Sequence, residues 1–459
     1  MGRVIVSLEV RVVVGGRAVR SPLRLFDGKA FAISPNAARF PRPTPRTEAL
    51  MSVRFNLAAV LLLIAAPLSG QAPAGAASVW GDIVDEWRTA IDKQGIVGAS
   101  LGLVSEGEMI EHVWRGSANL AEGRPVGRST IYHWASITKT FTAIAIMQLR
   151  DRGLISLDDP IVQYVPELRE VHYESGSMEE ITIRHLMSHS AGFRASTFPW
   201  GGGEDWHPHE PTEWSQLVAM IPYTRIEFEP GSRFSYSNPG VVFLGRVIEK
   251  VSGDVFEAYI DKNIFRPLGM RRSYFDVTPW ALRRFRSNHY TVRDGRPDPG
   301  GLDFNTGITV SNGGLNAPLG DMARYLAFLM GARAVDSSYG PEYSPDYDAV
   351  LSRNSLTEMW RSEVDIGDGP YGMASMGLAF FLYERDGVQI IGHTGSQRAF
   401  RAFMYVDPIA DVGVIAAFNT VGSNGGDPQT DELRIRITQR VLAELFPLFR
   451  ADASAPGGR

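Results

Sequence analysis

The chain contains no cysteine among its 459 residues, which excludes disulfides, thiolate metal sites and cysteine catalysis. Lysine is also scarce, since only five of the 46 basic residues are lysines, so a lysine within a motif stands out. The net charge of -5 gives no reason to expect nucleic acid or an anionic membrane as a partner. With 44% apolar and 21% charged residues, the composition is typical of a globular protein with one large or two ordinary domains.

The N-terminal apolar run, residues 57–68, is too short to span a bilayer comfortably. It lies within "MSVRFNLAAVLLLIAAPLSGQAPAGAAS", which begins at Met51 with one arginine and ends in small residues. That order is typical of a secretory signal peptide. We therefore predict a signal peptide over residues 51–77 and a periplasmic or secreted protein, with no membrane association beyond export.

Residues 1–50 precede this segment, although a signal peptide should begin at the initiator methionine. They are rich in arginine and proline and carry little amphipathic pattern. We predict that they are a non-native or disordered extension and that translation starts at Met51. The alternative is a genuine disordered extension before a signal anchor.

The remaining sequence predicts an α+β fold. Two apolar runs divided by "EGE" near residue 106 indicate a hairpin, and the segment from about residue 375 to 419 indicates further strands in meander order. Helical spacing dominates between them, and a last helix follows the strands. We therefore predict one domain over residues 78–447: an antiparallel sheet from both chain ends, flanked by terminal helices, with a helical subdomain at about 150–330. Residues 448–459 are predicted to be a disordered tail.

Ser136 and Lys139 open a helix that is otherwise a stripe of apolar residues. Three positions apart on a helix, the two side chains share a face. A buried lysine has a lowered pKa and can act as a base for the serine, and the helix N-terminus offers N–H groups to an oxyanion. Ser-x-x-Lys alone is a weak signal, and the alternative is a serine cap followed by a solvated lysine.

Two further short motifs follow in order. Tyr236 and Asn238 lie on a turn in "FSYSNPG", and His393, Thr394 and Gly395 lie on a late strand in "IIGHTGSQ". Each is unremarkable alone: the first could be a turn asparagine with a packing tyrosine, the second a structural histidine. Their combination with Ser-x-x-Lys is far more specific.

With these motifs, and with "LMSHSAGF", "IFRPLGMRRSYF" and "GGLNAPLGDMARYLAFL", residues 80 to 447 resemble the serine β-lactamase and penicillin-binding superfamily. The resemblance is to class C β-lactamases, D-amino-acid peptidases and esterases. It implies the fold of that superfamily and a serine hydrolase, but its members act on many different substrates.

The resemblance also implies roles for individual residues. Ser136 would be acylated, Lys139 would activate it, and Tyr236 would relay a proton to the leaving group as a phenolate or shared-proton partner. Asn238 would hydrogen-bond the acyl side chain of the substrate. The oxyanion hole would use the backbone N–H groups of Ser136 and Ser396, beside Thr394 and Gly395.

The third motif departs from that of a true lactamase, which has lysine where this chain has His393. A histidine is only partly positive near neutral pH, so we expect weaker binding of a β-lactam carboxylate. Arg398 and Arg401 could line the cleft and favour a carboxylate substrate, or they could simply be solvated.

No cofactor or metal is expected. Four histidines could form a cluster: His185, His189, His207 and His209. They lack the spacing of a known zinc motif.

The sequence therefore predicts a secreted serine hydrolase that acts on a small amide or ester, with a D-amino-acid peptidase slightly ahead of a carboxylesterase. A weak β-lactamase and a non-catalytic protein that binds peptidoglycan peptides are the alternatives. The sequence does not predict an oligomeric state.

Overall fold

The computed structural model describes residues 9–14, 17–22, 73–174, 176–193, 211–303, 305–331, 347–385, 387–423 and 426–453. The chain divides into two units, residues 1–66 and 67–459. In the first unit, β1 (Glu9–Val14) pairs antiparallel with β2 (Arg17–Pro22). This hairpin lies within residues 1–50, which were predicted to be a non-native or disordered extension, and it argues against the disordered alternative for these twelve residues only. Most of the predicted signal peptide, residues 51–72, lies outside the described residues.

The second unit combines long strands with many helices. Its strands are β3 (Gly98–Ser105), β4 (Glu108–Asn119), β5 (Arg124–Pro125), β6 (Ile131–His133), β7 (Tyr274–Phe275), β8 (Tyr290–Arg293), β9 (Arg296–Pro299), β10 (Leu315–Pro318), β11 (Val364–Gly369), β12 (Gly372–Met376), β13 (Phe381–Arg385), β14 (Val388–Gln397), β15 (Phe400–Asp407), β16 (Val412–Phe418) and β17 (Thr420–Gly422). Its α-helices are α1 (Ala76–Gln94), α2 (Thr138–Asp151), α3 (Ile183–Met187), α4 (Trp214–Met220), α5 (Asn238–Ser252), α6 (Phe256–Ile260), α7 (Arg266–Leu268), α8 (Val310–Gly313), α9 (Leu319–Met330), α10 (Tyr347–Val350), α11 (Arg353–Glu358), α12 (Thr430–Arg440) and α13 (Phe446–Ala453).

A nine-stranded sheet with the order β11-β12-β13-β14-β15-β16-β3-β4-β5 forms the centre of this unit. All of its pairings are antiparallel, and β16 joins the C-terminal meander to the N-terminal hairpin through β3. Both ends of the chain therefore build one sheet. The predicted α+β class and sheet arrangement are confirmed.

The terminal helices cover one face of the sheet. In α1 the buried residues Trp80, Ile83, Val84, Trp87 and Ile91 recur at helical spacing, so one stripe of the helix is apolar. They pack in one hydrophobic cluster with residues of β3, β15, β16 and α12. A larger cluster joins the opposite face of the sheet to α2, α5 and α9. Helix α2, buried along nearly its whole length, therefore lies deep inside the helical part.

The chain remains ordered beyond the predicted end of the domain. A π-helical segment, Val441–Leu445, leads into α13, and Phe449 is only 3% exposed within the cluster of the terminal helices. The prediction of a disordered tail from residue 448 was therefore wrong as far as Ala453, because apolar residues continue the buried stripe. Within the described residues, no helix has both the length and the apolar composition needed to cross a membrane.

Candidate active site

Ser136 lies in a 3₁₀ turn, Ala135–Ile137, immediately before α2. Ala135 has a left-handed backbone with φ 48°, which is uncommon for a residue other than glycine. The Thr138 hydroxyl donates to the Ala135 carbonyl at 2.6 Å and accepts the Leu315 N–H at 3.1 Å. Helix α2 and β10 therefore hold the strained turn in place, with Ser136 at the N-terminal end of a buried helix.

Lys139 is fully buried, as its position in the apolar stripe predicts. Its Nζ donates to Ser136 Oγ at 3.1 Å and to the Asn312 carbonyl at 2.9 Å. It also lies 4.9 Å from the centre of the Tyr236 ring. The amine is therefore within proton-transfer distance of the serine hydroxyl. The solvated lysine considered as an alternative is excluded.

Tyr236 completes this cluster, because its hydroxyl hydrogen-bonds the Ser136 side chain. Burial raises the pKa of Tyr236 above its ordinary value, and the bond to Ser136 opposes that effect only in part. The protonated phenol is therefore favoured over the phenolate suggested by the resemblance. The hydroxyl remains available to pass on a proton.

Asn238 is the first residue of α5, two positions after Tyr236. The helix begins there because the Ser237 hydroxyl accepts the N–H of Gly240 at 3.1 Å and Pro239 follows at a favourable position. The start of α5 therefore fixes where Asn238 stands relative to Tyr236.

The third motif, His393 to Gly395, lies on β14 close to the turn that carries Ser136. The backbone of Gly395 approaches the turn Ala135–Ile137, here called the nucleophile turn, very closely. A Cβ atom at Gly395 would overlap the carbonyl oxygen of Trp134, which precedes that turn. On either side of Gly395, Thr394 is half-buried and Ser396 is exposed. The fold therefore brings the three sequence motifs together. The oxyanion role of the Ser136 and Ser396 N–H groups stays a prediction.

A family model described as "Beta-lactamase" matches residues 83–439, which include all of these motifs. The chain belongs to the beta-lactamase family. Its serine, lysine and tyrosine lie in contact, an arrangement suited to a serine hydrolase. The chain spans about half the length of the first curated relatives that it matches.

The proteins that this chain resembles are named for different activities. Esterase EstB of Burkholderia gladioli is 30% identical over 221 residues, which span 46% of this chain and 54% of the esterase. Penicillin-binding protein 4 of Amycolatopsis lactamdurans is 25% identical over 390 residues, 82% of this chain and 92% of that protein. The solved structure of an octameric penicillin-binding protein homologue from Pyrococcus abyssi has a TM-score of 0.65 at 28% identity, covering 79% of this chain and 77% of that one. The family therefore leaves the substrate open.

His393 differs from the sequence prediction. It is 1% exposed, and its Nδ1 lies 2.6 Å from the Thr394 carbonyl, to which it donates as the neutral tautomer. Burial is the main cause that lowers the pKa of His393 to about 3, and Lys139 adds a smaller effect in its protonated form. Burial therefore favours a neutral imidazole over the partly positive one expected from the sequence. Its Nε2 has no hydrogen-bond partner among the described residues.

Of the two arginines that follow the motif, Arg401 forms an ion pair and Arg398 is exposed. Arg401 Nε donates to Asp431 of α12 at 2.9 Å, and its Nη1 donates to the carbonyls of Arg398 and Phe400. Arg401 therefore ties β15 to a terminal helix and is not a free cation for the substrate. Arg398 is exposed in the turn between β14 and β15, with φ 52°.

Two of the four histidines considered for a metal, His185 and His189, lie within the described residues. His207 and His209 lie outside the described residues, and His185 instead caps α3 through Thr182. Among the described residues, no group of three or more acidic or histidine side chains could hold a metal ion.

Sequence reasoning missed two contributors to the site. The Asn312 carbonyl accepts a hydrogen bond from Lys139, and a backbone carbonyl leaves no signal in the sequence. His189 Nδ1 accepts the Ser237 N–H at 3.1 Å, and its ring lies 4.4 Å from the Tyr236 ring. The stretch "LMSHSAGF" contains His189 and was part of the family resemblance, but nothing in it pointed to Tyr236.

Proposed function

We propose that this chain forms an acyl-enzyme on Ser136 and hydrolyses small esters and amides whose leaving group carries no carboxylate, with esters ahead of peptides. The observation that carries the proposal is the contact of Lys139 Nζ with Ser136 Oγ at 3.1 Å beside the Tyr236 hydroxyl. A non-catalytic binding protein has no need of this arrangement.

In the proposed reaction, Ser136 Oγ attacks the substrate carbonyl carbon while its proton passes to the neutral amine of Lys139. The carbonyl oxygen becomes an oxyanion, which the N–H groups of Ser136 and Ser396 stabilise. As the intermediate collapses, the proton moves through Tyr236 to the leaving alcohol or amine. A water molecule then attacks the acyl carbon and gives a proton to the same pair. The pair passes that proton to Ser136 Oγ as the bond between Oγ and the acyl carbon breaks and the acid leaves.

The substrate preference follows from His393. Because its pKa is held at about 3, the side chain is neutral at physiological pH and supplies no charge to a carboxylate. This reverses the order favoured by the sequence, in which a peptidase stood ahead of an esterase. It also argues against efficient β-lactam hydrolysis.

A D-amino-acid peptidase is the second candidate. Asn238 at the start of α5 is suited to hydrogen-bond an amide in the acyl part of a peptide substrate. Penicillin-binding relatives are consistent with this candidate. A peptide with a neutral leaving group fits a neutral His393 better than a peptide that ends in a free carboxylate.

Matched substrates separate these possibilities. Purified residues 73–459 should be assayed with p-nitrophenyl esters, nitrocefin, and a D-alanyl peptide in two forms, one with a free C-terminal carboxylate and one with a C-terminal amide. We expect the highest kcat/KM for the esters and a preference for the amide form of the peptide. A higher kcat/KM for the free carboxylate would reject the proposed preference. No covalent labelling of Ser136 by a fluorophosphonate would favour a binding protein instead.

We also propose that the protein is exported to the periplasm or beyond. Support comes from the segment after Met51, which has the order of a signal peptide. Expression from Met51 in a bacterial host should give a periplasmic protein whose mature N-terminus lies near residue 78. An unprocessed protein in the cytoplasm would contradict the proposal.

A further inference from the structure

His189 contacts three consecutive residues of the loop that carries Tyr236. Its carbonyl accepts the Ser235 N–H at 2.8 Å, its Nδ1 accepts the Ser237 N–H at 3.1 Å, and its ring packs against the Tyr236 ring at 4.4 Å. One residue therefore holds the backbone on both sides of the tyrosine as well as the tyrosine itself.

The backbone of His189 makes this arrangement possible. It follows the end of α3 with φ 54°, a left-handed conformation in which histidine is enriched relative to most residues. The next residue, Ser190, also binds the loop, because its carbonyl accepts the Gly231 N–H at 2.8 Å. The left-handed turn thus directs both the carbonyl and the ring of His189 toward the Tyr236 loop.

The hydrogen bond also determines the tautomer of His189. Because Nδ1 accepts a hydrogen bond from a backbone N–H, it carries no proton itself, and the proton of the neutral ring is on Nε2. That Nε2 is buried without a hydrogen-bond partner among the described residues. Retaining a buried, unpartnered N–H has a cost in stability, which the contacts with Tyr236 and Ser237 help to offset.

We propose that His189 is a positioning residue that sets the Tyr236 hydroxyl against Ser136. It does not touch the reacting atoms itself. It acts by fixing the loop from Ser235 to Ser237, and Ser237 in turn caps α5. The inference rests on the proposed acyl-enzyme function, since placement of Tyr236 matters for proton transfer. A displacement of about 1 Å at such a group can lower a rate by about 10²-fold.

Two substitutions at His189 separate the ring from the acceptor. In asparagine, Oδ1 is separated from Cα by the same number of bonds as Nδ1 is in histidine, and asparagine tolerates the left-handed backbone. His189→Asn therefore retains the hydrogen-bond acceptor and loses the ring. Phenylalanine retains a ring and loses the acceptor. His185→Phe is a matched control, because His185 Nδ1 also accepts a backbone N–H, that of Thr182 at 3.3 Å, away from Tyr236.

The measurements are the rate of fluorophosphonate labelling of Ser136, kcat and KM for a p-nitrophenyl ester, and Tm. We expect His189→Phe to lower the labelling rate and kcat by at least about tenfold with KM nearly unchanged, and His189→Asn to stay within about threefold of wild type. His185→Phe should label like wild type even if its Tm falls. Equal labelling losses in His189→Phe and His185→Phe, or wild-type labelling in a folded His189→Phe, would overturn the proposal.

A spectroscopic readout covers the case in which His189→Phe does not fold. In the wild-type protein labelled with ¹⁵N-histidine, the signal assigned to His189 through the His189→Asn variant should show an unprotonated Nδ1 and a protonated Nε2 at pH 7. A protonated Nδ1 would overturn the positioning role. This measurement does not depend on activity, whereas failure of the wild-type protein to label would reject the proposed function separately.

Discussion

Lys139 is the only described lysine that contacts the candidate nucleophile, and its amine has no solvent exposure. Lys139→Met retains most of the side-chain volume and removes the amine, so we expect fluorophosphonate labelling of Ser136 to slow by about 10²-fold or more. Ser136→Ala should abolish the label. Lys262→Met removes an exposed lysine that pairs with Asp254 and serves as the control. Labelling of Lys139→Met at the wild-type rate would remove the general-base assignment.

The role proposed for Tyr236 depends on its hydroxyl, which contacts Ser136, and not on the packing of its ring. In Tyr236→Phe the ring contact with His189 remains, so the expected Tm lies within a few degrees of wild type. Turnover of a p-nitrophenyl ester should fall by about 10²-fold because the proton relay is lost. Tyr223→Phe, at an exposed position, is the control. If Tm and turnover both fell strongly in Tyr236→Phe, the result would indicate that Tyr236 serves in packing and not in proton transfer.

His393 gives a prediction opposite to the one that its sequence suggests. An unperturbed histidine would lose its charge between pH 6 and pH 8, and the KM of a carboxylate substrate would then rise with pH. Because the pKa of His393 lies at about 3, the side chain is neutral throughout that range. We expect the KM values of a charged and a neutral substrate to show the same pH dependence from pH 6 to pH 8. A rise for the charged substrate alone would mean that His393 is protonated in the cleft.

Strand β14 and the nucleophile turn fit together through Gly395. A methyl group at this position would meet the backbone oxygen of Trp134, which cannot rotate away. Gly395→Ala should therefore separate the strand from the turn, at a cost of about 1–3 kcal/mol in stability, and slow Ser136 labelling by at least about tenfold. In α9, Gly320→Ala meets no atom within 4 Å and should retain labelling. Normal labelling in Gly395→Ala would show that the contact is not needed.

The sequence predicted the elements that have a strong hydrophobic pattern. The β3–β4 hairpin, the late meander and α2 were predictable because apolar residues recur with the period of a strand or a helix. The left-handed Ala135 and the contact of Gly395 with Trp134 were not, because they depend on how two distant segments pack.

The burial of His393 illustrates the same limit. Its strand was predicted, but its neutral state depends on burial and on Lys139, which is more than 200 positions away in the chain. The family motif indicated which residue types meet at the site. Their charges depend on the environment that the whole fold provides, and a single sequence does not specify that environment.

Among the histidines that the structure describes, six have pKa values lowered chiefly by burial: His112, His133, His185, His189, His289 and His393. The unfolded chain therefore binds protons below about pH 6.5 that the folded chain excludes, so stability falls as the pH decreases toward 3. His133 and His393, each with a pKa of about 3, would each remove about 2 kcal/mol at pH 5. Asp321, whose pKa is raised to about 6, acts in the opposite direction by about 1 kcal/mol.

We therefore expect a lower urea midpoint at pH 5 than at pH 7. His133→Gln should weaken this pH dependence, because it removes a fully buried histidine that hydrogen-bonds Asn316 and Gln397, although it will lower stability at pH 7 as well. Equal midpoints at the two pH values would contradict the net destabilisation that the buried histidines are expected to cause in acid.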